Sequence, residues 1–184
     1  DPDYGIHVYP SGVTVRAQSD MFTEPDNGVR DVNAGWLGFG SVPAAGSTND
    51  LEFEIHRQSA LEWQWKTGYL LSATSSIPGI VDRESWWIEN TTAQTSVAAV
   101  SYEGSGTNHI FAGWYVNGIR VPSGIAKALN PANPILMDEP KIALARYLPE
   151  DEDLDLDSVA DWWEHLFLGS TGVALNVDLD NDGF

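Results

Sequence analysis

Two stretches of this chain read nearly alike. NAGWLGFGSVPAAG (33–46) and FAGWYVNGIRVPSG (111–124) both open on Ala-Gly-Trp and close on Val-Pro followed shortly by Gly. Flanking stretches match at a similar distance. IHRQSALEWQWK (55–66) pairs with ILMDEPKIALAR (135–146), and GVTVRAQS (12–19) with QTSVAAVS (94–101), at an offset of about 78 to 82 residues throughout. An internal repeat of this length confines a chain of 184 residues to small similar units, each with its own modest core.

The units read as β. LEFEI (51–55) and ALEWQWK (60–66) alternate apolar and polar residues, and the second puts Leu61, Trp63 and Trp65 on one face. KIALARYL (141–148) repeats that period, and VTVRA (13–17) and SVAAV (96–100) are further strand candidates. The 17 glycines and 10 prolines favour many turns, and no long helical stripe precedes residue 158. Trp36 and Trp114, at equivalent repeat positions, are expected in the cores; Trp86 and Trp87 lie on opposite faces if extended, which makes this pair the best candidate for a sticky surface. The expected organisation is a first β unit at 1–68, a second at 69–148 and an acidic segment at 149–184.

The A-G-W and L-x-W-x-W-K-T-x-Y patterns of the first unit, and GW…NP…MDEPKIALARY of the second, resemble the bacterial extracellular modules related to the internalin B-repeat. The resemblance covers most of residues 4–148. It implies a mainly β chain built of two tandem small β-grasp-like modules, the first lacking an edge strand upstream of Tyr4. It also implies stalks, spacers or adhesive elements of large secreted or surface proteins rather than enzymes.

The acidic segment raises a separate question. DEDLDLDSVADWWE (151–164) carries seven carboxylates and no base, yet ends in two tryptophans. Counted from Asp153, acids fall at positions 1, 3 and 5 (Asp153, Asp155, Asp157), 9 (Asp161) and 12 (Glu164), with Val159 at 7. This is the spacing of a twelve-residue calcium loop, in which position 7 offers its carbonyl and position 12 a bidentate carboxylate. Ca²⁺ would relieve the repulsion and let a helix from near Ser158 present Trp162, Trp163, Leu166 and Phe167 for packing. Ser158 stands where the motif prefers a left-handed glycine. Asp178, Asp180 and Asp182 open a second loop, of which the sequence holds only the first seven positions. The pair resembles the calcium repeats of dockerins and thrombospondin-type linkers, and this likeness suggests a piece of a longer protein.

Charge and composition narrow the remaining classes. Of the net −18, residues 148–184 contribute 11 acids and no Lys or Arg, a balance that repels nucleic acid and anionic lipid. No apolar run is long enough for membrane insertion. Cysteine is absent, which removes disulfides and thiol chemistry, and His7, His56, His109 and His165 are isolated. No nucleophile elbow or phosphate-binding glycine motif occurs. Asn90-Thr91-Thr92 fits a glycosylation acceptor. The expectation is a non-catalytic, calcium-binding, extracellular or cell-surface structural segment. Its partners would be other domains of the same protein or neighbouring copies. The rival is an adhesive module gripping glycan or a partner protein through exposed aromatics.

Overall fold

The computed structural model describes residues 3–98, 100–104, 106–121 and 133–172. The chain is mainly β and divides into two compact units, Asp1–Tyr69 and Leu70–Phe184.

In the first unit, β1 (Val13–Gln18) pairs antiparallel with β4 (Asp50–Ile55), while β2 (Val29–Phe39) pairs with the short β3 (Ala45–Gly46) and with β5 (Ala60–Ser75), also antiparallel. The β1–β4 ribbon follows its period-two pattern. Val15 faces Phe53 and Ala17 faces Leu51 in register, while Arg16 and Glu52 share the opposite, solvated face. Ala17 and Leu51 meet Trp36 and Val42 in the core, with Phe53, Leu61 and Trp63 packed around them. Trp36 and Trp63 are register partners on β2 and β5, and their rings meet edge to face at 6.2 Å. Residues 4–9 form no strand, and Tyr4, Ile6 and Val8 are exposed.

The chain passes into the second unit within β5. There β5 pairs with β6 (Asp82–Ile88), and its end runs parallel to β12 (Lys141–Pro149), with Leu71 opposite Lys141. Strand β9 (Thr107–Val116) pairs antiparallel with β12, β8 (Ser101–Gly104) and β10 (Ile119–Arg120). A separate ribbon joins β7 (Thr92–Thr95) to β11 (Asn133–Leu136). Phe111, Trp114, Ala143, Ala145 and Tyr147 are buried side chains of the paired strands β9 and β12, and burial pushes the Tyr147 hydroxyl up to about 12. Among the described residues one helix, α1 (Asp161–Phe167), packs on β9 and β12 of this unit.

The order of pairing recurs. β1–β4, β2–β3 and β2–β5 in the first unit have the counterparts β7–β11, β9–β10 and β9–β12 in the second. The Ala-Gly-Trp phrase is a β-bulge in both. The β2–β5 register slips at Ala34, between Asn33 and Gly35, and the β9–β12 register slips at Ala112, between Phe111 and Gly113. In each bulge the glycine takes a positive φ, 108° at Gly35 and 132° at Gly113, and the tryptophan after it is buried.

Three expectations need correction. The described residues of SVAAV, 96–98 and 100, are in no strand; the strand is Thr92–Thr95, just before them. The alternating burial of Ala93, Thr95 and Val97 does continue into that stretch, but pairing with β11 ends at Thr95. Neither Trp86 nor Trp87 stands fully at the surface; both are half-buried on β6, and the Trp87 indole donates to Ser85 Oγ at 2.8 Å. The helix starts at Asp161 rather than near Ser158, because Leu156 (φ 62°) and Ser158 (φ 78°) are left-handed and cannot belong to it.

Candidate metal centre

The acidic loop runs from the end of β12 to α1, and its start is pinned to β9. Glu150 N–H donates to the Asn108 carbonyl at 2.8 Å, and Asn108 Nδ2 donates to Glu150 Oε2 at 2.6 Å. The Trp162 indole donates back to the Glu150 carbonyl at 3.2 Å, and Asp161 N–H donates to the Glu152 carbonyl at 2.8 Å. The loop is thereby closed on itself before any carboxylate of the calcium pattern is counted.

Within it, Leu154, Asp155 and Leu156 are exposed at the tip, the two leucines to 72% and 84%, while Asp153 and Asp157 turn partly inward. Carboxylate oxygens of Asp153, Asp155 and Asp157 lie within 4.8 Å of one another. Asp153 holds the turn: Oδ1 accepts from Asp157 N–H at 3.2 Å and Oδ2 from Ser158 N–H at 3.0 Å. Asp157 Oδ1 accepts from Val159 N–H at 2.8 Å, whereas Asp157 Oδ2 is buried with no hydrogen-bond partner. A buried carboxylate oxygen without a donor costs free energy unless a cation meets it.

The two acids on α1 are more deeply placed. Asp161 is 1% exposed and accepts from Leu154 N–H at 3.1 Å; Glu164 is fully buried, and its Oε2 accepts from Gly172 N–H at 3.0 Å. Desolvation raises the pKa of Asp155, and the charges of Asp157 and Glu164 push it further up. The carboxylates at positions 1, 3 and 5 therefore crowd one another, and the charge of Glu164 at position 12 reaches Asp155. Alternating hard oxygen donors around a crowded point suit Ca²⁺ or a similar hard cation, and no thiolate or imidazole belongs to the set.

The proposed ligands thus separate into groups. Asp153, Asp155 and Asp157 are gathered, Asp161 closes onto the loop, and Glu164 is buried close enough for Asp155 to feel its charge. Val159 occupies its loop position with its N–H on Asp157. Asp178, Asp180 and Asp182 lie outside the described residues.

The loop motif did not disclose how α1 is seated. His165 is buried and lies stacked against Tyr115 of β9, ring centroids 5.7 Å apart, with its Nε2 hydrogen-bonded to the Tyr115 hydroxyl. Burial, then the charges of Arg146 and Arg120, lower the His165 pKa. Arg120 of β10 donates to carbonyls in the last turn of α1. The only sequence signal for this contact was an arginine inside the second repeat phrase, GIRVPSG.

No protein-family model, no curated protein and no solved structure matches this chain.

Proposed function

We propose that this chain is a non-catalytic structural segment of a larger secreted or cell-surface protein of bacterial type. In this reading two β-grasp-like repeat modules of the internalin B-repeat kind act as a spacer, and a calcium-binding loop and helix of the dockerin or thrombospondin-linker kind fix the end of the second. The observation that carries it is the convergence of Asp153, Asp155 and Asp157 beside the buried Glu164, with Asp157 Oδ2 buried and unpartnered. Such a loop is repulsive alone and ordered by a divalent cation. Ca²⁺ is favoured over Mg²⁺, because six to eight oxygens on a bent loop suit the larger, less exacting ion. Equilibrium dialysis against Ca²⁺, with Mg²⁺ at the same concentration as comparison, should retain one Ca²⁺ at this loop. Retention of neither ion would sink the reading.

An adhesive role has one observation in its favour. In the first unit a groove of about 1190 Å³ is lined by Tyr9, Phe53, Trp63 and Trp65 among others. Aromatic side chains beside polar groups suit a glycan or an extended peptide. Quenching of tryptophan fluorescence by a panel of soluble oligosaccharides, abolished in Trp65→Ala, would support this role over a pure spacer. An unchanged spectrum across the panel would count against it.

A further inference from the structure

We propose that Arg120 is a positioning residue for the acidic loop: it holds α1 in the orientation from which Glu164 meets the cation, and so couples calcium binding to the docking of the β9–β10 hairpin. This inference rests on the calcium reading above and names the part of the fold that calcium regulates.

Helix α1 has seven residues, about two turns, and a helix so short has little stability of its own. Its orientation therefore comes from what it docks against. Arg120 Nη2 donates to the carbonyls of His165 at 2.6 Å and Leu166 at 2.5 Å. These are last-turn carbonyls at the negative end of the helix dipole, where a cation is favoured. The guanidinium also lies against the helix stop: a β-carbon at Gly169 would stand 3.2 Å from Arg120 Nη1. Both bonds come from the one nitrogen Nη2, and the planar guanidinium that carries it is pre-organised where a lysine ammonium sits on a flexible stem.

A second tie fixes rotation about the helix axis. The His165 ring is stacked on Tyr115 and bonded to its hydroxyl, and Leu166 is buried beside it. Glu164 immediately precedes His165. At 3.6 residues per turn, setting the direction of His165 sets the direction of Glu164 about 100° away. Helix α1 cannot turn Glu164 out of the loop without breaking the Tyr115 and Arg120 contacts. By reciprocity, an ion that holds Glu164 must also strengthen those contacts.

The sign of the effect separates this role from simple charge. Arg120 is a cation near a cation site, so Coulomb repulsion alone predicts tighter calcium binding when it is removed. Positioning predicts weaker binding.

Titration calorimetry with Ca²⁺ on the full native chain, Arg120→Gln, Arg120→Lys and Tyr115→Phe decides between them. Affinity should fall about tenfold in Arg120→Gln, a coupling of ordinary size. Arg120→Lys should recover part of the loss, and Tyr115→Phe should weaken binding by a smaller factor. Hydrogen exchange on the native chain supplies a readout that needs no substitution. Ca²⁺ should slow exchange at β10, Ile119 and Arg120, which lies far from the ligands in sequence. That slowing should vanish in Arg120→Gln. Should Arg120→Gln fail to fold, Arg120→Lys and the native exchange measurement carry the test. Calcium bound by the native chain with unchanged or tighter affinity in Arg120→Gln, or exchange at β10 indifferent to Ca²⁺, overturns the coupling and leaves the calcium reading standing. No binding by the native chain overturns both.

Discussion

The indole of Trp36 rests against Gly46, its register partner on β3, so closely that a β-carbon at position 46 would stand 2.1 Å from the ring. This contact explains why the first repeat phrase opens on Gly-Trp and closes on Gly: the glycine leaves the space that the tryptophan fills. Gly46→Ala should therefore destabilise the first unit by about 1–3 kcal/mol, the usual cost of overpacking a filled site. Urea unfolding followed by tryptophan fluorescence measures it. A loss below about 0.5 kcal/mol would mean that the ring moves aside freely.

Trp36 shows how far the sequence could be read. The paired phrases pointed to two similar units, and the period-two runs located β4, β5 and β12, because those signals are local. The bulge at Ala34 and Ala112 was hidden, since an extra residue in a strand leaves the composition of the phrase unchanged. Strand β7 was placed a few residues late, because the buried alternation Ala93, Thr95, Val97 outlasts its backbone pairing. The clustering of Asp153, Asp155 and Asp157 was legible since alternate positions of a tight loop are neighbours in sequence. The seat of α1 was not, because Arg120 and Tyr115 lie 45 to 50 residues before their partners.

Ser158 should be a site of improvement. Its φ of 78° lies in the left-handed region, which costs a residue with a β-carbon roughly 1–2 kcal/mol and glycine almost nothing. Ser158→Gly should tighten Ca²⁺ binding by about fivefold to tenfold and raise the thermal stability of the loaded chain. Weaker binding in Ser158→Gly, measured by calcium titration, would show that the turn is not what limits affinity.

Protons should compete with calcium above the ordinary aspartate range. Local desolvation and the Asp157 and Glu164 charges hold the Asp155 carboxyl above its ordinary value, although the residue is exposed. The ion-free loop is therefore most stable with Asp155 protonated, and it loses that stability as pH rises through the raised pKa. Calcium needs the carboxylate, so affinity should fall as pH drops, beginning above the ordinary aspartate range near 4. Affinity measured between about pH 7 and pH 4 should show this early decline, and Asp155→Asn should remove it while weakening binding at every pH. A native profile flat until the ordinary aspartate range would contradict the account.

Chelation should act locally. Removing Ca²⁺ should loosen α1 and raise the exposure of Trp162 and Trp163, while the cores around Trp36 and Trp114, which contain none of the proposed ligands, stay folded. Far-ultraviolet circular dichroism should keep its β signature when a chelator is added, and acrylamide quenching of tryptophan should increase modestly. Cooperative loss of the whole β signal would show that calcium supports the cores themselves.

In the proposed site Asp153, Asp155, Asp157, the Val159 carbonyl, Asp161 and Glu164 would surround one Ca²⁺. Titration calorimetry on the native chain and on Glu164→Gln tests it most directly, because the buried Glu164 is the proposed bidentate ligand. The native chain should bind one Ca²⁺ with a Kd on the order of 10⁻⁴ to 10⁻³ M, and Glu164→Gln should bind at least about tenfold more weakly. No heat from the native chain, or superimposable curves from the two, would contradict it.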